Sequence, residues 1–114
     1  MEKDKAYVEH ILGAIADIEK FTIGFDRERF VNPENKLVQN AVIRSFEVIG
    51  EAMKNLSEKI KNEHPDLPWR DITGMRNKLI HDYFSVNLGV VWKTVERDLS
   101  VLKNTMKVLE DHVV

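Results

Sequence analysis

From Tyr7 onward, apolar side chains recur in steps of four and three: Tyr7, Ile11, Ala14, Ile18, Phe21 and Phe25. That interval follows the 3.6-residue turn and draws one stripe along an amphipathic helix. Asp4 is its expected N-cap and Gly24 lies near its end. Residues 26–31 are largely polar and read as a connection. Asn32-Pro33-Glu34 then restarts a helix, with a capping side chain, a proline whose missing N–H costs nothing at the first position, and an acid at the positive end of the dipole. This second helix carries Val38, Val42, Ser45, Ile49, Ala52, Leu56 and Ile60 on one side, widened by Leu37, Ala41, Phe46 and Met53. It is predicted to run on until just before Pro65, because the residue preceding a proline is pushed out of helical dihedrals. Residues 64–68 form the main loop, and a shorter helix spans 68–83. Gly74 lies inside that helix at a cost of about 1 kcal/mol relative to alanine, so either the helix bends there or another backbone passes close by. The last helix opens near Asn87 and carries Leu88, Val91, Val95, Leu102, Met106, Leu109 and Val113, with Asp98 and Leu99 straddling the one place where the stripe drifts.

No segment alternates apolar and polar residues between hairpin turn pairs, so a sheet is not expected. The pattern predicts an all-α, antiparallel bundle of four to five helices. At 114 residues a second core would leave each half too small to bury enough apolar surface, so residues 1–114 are read as a single domain. The apolar faces are broad enough for two copies to associate through a helix pair.

Composition narrows the chemistry. The chain is 43% apolar and 32% charged, which excludes long disorder. No run of about 18 apolar residues could span a bilayer, and the start Met1-Glu2-Lys3-Asp4-Lys5 is unlike a signal peptide, so no membrane association and a cytoplasmic location are expected. There is no cysteine, so catalysis would fall to His, carboxylates, Arg, Lys or hydroxyls. His10, His64, His81 and His112 show no i, i+4 pairing and no Glu-x-x-His occurs, so no metal site is expected. Phosphate-binding glycine loops are absent too, and no cofactor is expected. With a formal net charge of −2, a nucleic-acid partner would need a local basic groove.

The densest polar cluster runs from Arg70 to Tyr83 and holds Arg70, Arg76, Lys78, His81 and Tyr83. Arginine offers a permanent planar charge suited to phosphate. Histidine titrates near neutrality and can take a proton from a ribose hydroxyl or give one to a leaving oxygen. Arg76 and His81 together could cleave RNA without a metal. The plainer reading is a solvated face ended by a histidine at the negative end of a helix dipole. Five positions on a regular helix place Arg76 and His81 roughly 140° apart, so convergence needs the long arginine side chain, local distortion or a second protomer.

Arg76-Asn77-Lys78-Leu79-Ile80-His81-Asp82-Tyr83 resembles the R-x-x-x-x-H-x-Y signature of HEPN-domain toxins of the HepT group. Pro68-Trp69-Arg70-Asp71-Ile72 before it, the stretch from Gln39 to Ala52, and Val90-Val91-Trp92-Lys93-Thr94-Val95 are similar to the same family in order, so nearly the whole chain is covered. The resemblance implies a HEPN-fold homodimer in which two motif copies face each other and form a metal-independent RNase site. Arg76 would steady the phosphate and His81 would move the proton. It also implies an antitoxin partner, a nucleotidyltransferase of the MntA type, that inactivates the toxin by adding AMP to the motif tyrosine, here Tyr83. The added phosphodiester would put charge and bulk beside Arg76 and His81. Arg44 and Glu51 match polar positions of the family's second helix. Within one helix they can pair with Glu47 and Lys54, yet Glu47 and Glu51 lie four apart and repel, so one of them is expected to seek a partner such as Arg76 or His81. The alternative is a non-catalytic HEPN module that binds a nucleotide or a nucleotidyltransferase partner.

Overall fold

The computed structural model describes residues 2–81 and 84–112. Among them are seven α-helices and no strand: α1 (Glu2–Phe21), α2 (Arg27–Val31), α3 (Lys36–Lys54), α4 (Glu58–Glu63), α5 (Trp69–Ile80), α6 (Leu88–Arg97) and α7 (Leu99–Glu110). The all-α class is as the periodicity predicts. The helices outnumber the expected runs because two long runs are each interrupted and one connection is itself helical.

Each departure has a local cause. Residues 26–31 are not a plain connection: the Asp26 side chain accepts the Arg29 N–H at 2.8 Å, and this cap opens the five-residue α2. Asn32 caps as expected, accepting the Glu34 N–H at 2.9 Å, but Pro33–Asn35 forms a 3-10 turn before α3 begins at Lys36. The apolar spacing from Ile49 to Ile60 continues across a break, because Ser57 accepts the Ile60 N–H at 3.2 Å and starts α4. The last run divides at Asp98, where the stripe drifts. Asp4 is not an N-cap. It lies inside α1, is buried, and its carboxylate accepts both the Ser57 N–H and the Ser57 hydroxyl.

The core lies where α1, α3 and α7 meet. Ile11, Ile15 and Ile18 of α1, Val42, Phe46 and Ile49 of α3, and Leu102, Met106 and Leu109 of α7 are fully buried. Each such side chain contributes roughly 1.5–3 kcal/mol by leaving water. The buried stripe of α1 also takes in Val8 and Ile15, while Phe21 stays exposed. Two aromatic contacts extend the core outward. Phe30 of α2 stacks on Trp92 of α6 at 5.1 Å, and Phe46 of α3 meets the edge of Phe84 at 5.3 Å, fixing the turn that follows α5. No helix of the described residues is long and apolar enough to cross a membrane.

Candidate active site

The Arg76/His81 segment is carried by α5. The Trp69 indole N–H donates to the His64 carbonyl at 2.7 Å and anchors the start of the helix. Ile72, Met75 and Leu79 form its buried stripe and turn it against α3. Gly74 is exposed on the far side with nothing within 4 Å of an added Cβ, so no other backbone requires a glycine there.

Arg76 follows Met75 and is half-buried. Its Nη2 donates to Asn77 Oδ1 at 3.3 Å. Its Nε is fully buried with no hydrogen-bond partner, a state that costs roughly 1–3 kcal/mol if it stays unsatisfied. Lys78 faces another way and pairs with Asp98 at 2.9 Å.

His81 ends α5 and adopts extended backbone (φ −77°, ψ 139°). The Phe84 N–H donates to its carbonyl at 3.0 Å, which holds Phe84 beside it. The result is a cleft of about 330 Å³. His81, Ile80 and Phe84 form one wall, and Ile43, Glu47 and Glu51 of α3 form the other. Gly50 forms part of its floor: an added Cβ would stand 3.5 Å from the Leu79 Cβ and fill the space. Arg76 does not line this cleft. The backbone thus brings His81 and Glu51 to one cavity, while Arg76, on the same helix, is not part of its lining. Arg44 pairs with Glu47 at 3.7 Å and lines a separate cleft with His10 and Asp17 of α1. Tyr83 lies outside the described residues.

A model described as "Ribonuclease HepT-like" matches residues 11–109 of the chain. The chain belongs to the HepT-like ribonuclease family. It is 47% identical to "Probable ribonuclease HepT" of Thermococcus cleftensis, over 92% of this chain and 94% of that protein. Proteins named "Putative RNase" are similarly related. One from Caldanaerobacter subterraneus subsp. tengcongensis is 37% identical over 94% of both chains. One from Methanocaldococcus jannaschii is 41% identical over 94% of this chain and 91% of its own. No solved structure matches significantly.

In this HepT-like chain the lining residues Ile43, Gly50, Phe84 and Ser85 were not singled out from the sequence. Gly50 carried a usable signal, a glycine inside an apolar helical run where it costs about 1 kcal/mol. Phe84 and Ser85 carried none, because only the sharp exit from α5 places them there.

Proposed function

We propose that the chain is a metal-independent endoribonuclease that acts as a homodimer, with Arg76 and His81 as its catalytic pair. The observation that carries this reading is that α5 of a HepT-like chain ends on a histidine opening into a cleft beside a carboxylate, with a half-buried arginine on the same helix. The names of the relatives point to the same activity. In the proposed reaction a ribose 2′-hydroxyl attacks its own 3′-phosphorus and the bond to the 5′-oxygen breaks. The products are a 2′,3′-cyclic phosphate and a 5′-hydroxyl. His81 moves the proton, either from the attacking hydroxyl or to the leaving oxygen. Arg76 holds the phosphate through its charge and its planar donors.

Within one protomer Arg76 does not reach into the His81 cleft, and this supports a site completed by a second copy. Ile80 and Val86, 65% and 76% exposed, bracket His81 with apolar surface that a facing copy would cover. The antitoxin is proposed to be a nucleotidyltransferase that adds AMP to Tyr83, blocking the phosphate's place with like charge.

The test is incubation of the purified, unmodified protein with total cellular RNA in EDTA, beside His81→Ala and Arg76→Ala. Cleavage by the parent and not by the variants is the expected result. Intact RNA, or variants that cut equally well, would favour the non-catalytic module.

A further inference from the structure

A second concave site lies between α2 and α6, a cleft of about 490 Å³. Arg27 reaches it from α2, while Lys93 and Arg97, one helical turn apart, reach it from α6; Glu96 is its one acidic lining residue. Among the described residues none of these three cations makes an ion pair. Some cations elsewhere are engaged, Arg29 with the Gly24 carbonyl and the Phe25 ring, Lys78 with Asp98 and Lys103 with Glu19; what sets these three apart is that they line one cleft.

Arg27 adds its charge to the start of α6. Its Nη2 would be only 2.8 Å from a Cβ on Gly89, so the guanidinium lies over the first turn of α6, which Asn87 caps. The start of a helix carries positive partial charge. A guanidinium beside it adds to that positive potential, and the combination suits an anion. Trp92 forms part of the wall. It is 5% exposed, and its indole N–H is buried with no hydrogen-bond partner. The lining of the cleft thus sets three cations against one carboxylate.

One backbone hydrogen bond links the linings of the two clefts. The Asn87 N–H donates to the Phe84 carbonyl; Phe84 lines the His81 cleft and Asn87 the cationic one. A single turn of backbone separates them. We infer that the Arg27/Lys93/Arg97 cleft binds backbone phosphate of the RNA strand whose scissile bond lies at His81. The inference rests on the ribonuclease reading. The cleft gives a chain of net charge −2 a local basic groove, three cations against one carboxylate, in which to hold a polyanion.

The test uses a short, fluorescein-labelled 2′-O-methyl oligoribonucleotide. It lacks the attacking hydroxyl, so binding is measured apart from cleavage. Anisotropy titrations are run across a series of KCl concentrations. Lys93→Ala/Arg97→Ala should weaken binding about tenfold or more, and its salt slope should fall by about 1.4, since each phosphate contact on a single strand contributes about 0.7. Arg27→Ala should reduce the slope by about half as much. Both α6 side chains are exposed, and an unchanged melting curve checks the fold. If the parent binds and cleaves RNA while the double variant binds within twofold of it, the cleft inference fails and the ribonuclease reading stands. If inorganic phosphate displaces the oligonucleotide at equal concentration, the cleft is a small-anion site and the inference is overturned. A parent that neither binds nor cleaves RNA overturns both.

Discussion

Asp4 and Ser57, fifty-three positions apart, are joined by two hydrogen bonds: the Asp4 carboxylate accepts the Ser57 N–H at 2.9 Å and the Ser57 hydroxyl at 2.6 Å. Ser57 in turn caps α4, so the first turn of the chain fixes the start of a helix from its middle. Asp4→Ala should lower stability by about 1–3 kcal/mol, because it leaves the partly buried Ser57 donors without their acceptor. Asp4→Asn keeps one acceptor oxygen and should lose less. Urea denaturation of the two variants checks the order, and equal losses would show that the hydrogen bonds are not what holds the helices together.

Glu51 faces His81 across the same cleft, while its neighbour Glu47 is turned toward Arg44. Glu51→Gln should therefore lower RNA cleavage about tenfold, one charge-assisted hydrogen bond's worth, while its melting temperature stays at the parent's. A purely structural Glu51 would show the reverse.

If a second copy covers the turn after α5, a charge placed there should separate the copies. Ile80→Asp and Val86→Asp replace exposed side chains, so each protomer should keep its fold. Light scattering should report a monomer and cleavage should fall with it. A dimer that survives both substitutions would place the interface elsewhere.

Gly74 sits mid-helix with open space around it. Gly74→Ala should add about 1 kcal/mol of stability and raise Tm by roughly 4 °C. A fall in Tm would mean that the chain needs a bend there.

What the sequence disclosed follows from how far each signal reaches along the chain. Capping is local, so Asn32 and Asn87 could be read directly, as could the drift at Asp98. The break at Asn55–Ser57 was hidden because Leu56 and Ile60 continue the apolar spacing and are both buried, one in the bend and one in the new helix. The helix α2 was hidden because five residues are too few to show a period. His81 and Glu51 were each legible as chemistry, but their shared cleft depends on the way α5 ends. The cationic cleft left no local trace: Arg27, Lys93 and Arg97 form no charge run and meet only because Phe30 stacks on Trp92 and holds α2 to α6.

The helix bearing Arg76 and His81 rests chiefly on one neighbour, α3, whereas α1 is packed between α3 and α7. An element held from one side can detach without global unfolding. In hydrogen exchange the amides of Met75 to Leu79 should open well below the free energy that guards Ile15 or Phe46. The proposed catalytic pair then sits on a segment that can be released without the core, so a partner that binds the released form of α5 would silence the protein while the rest of the bundle stays folded.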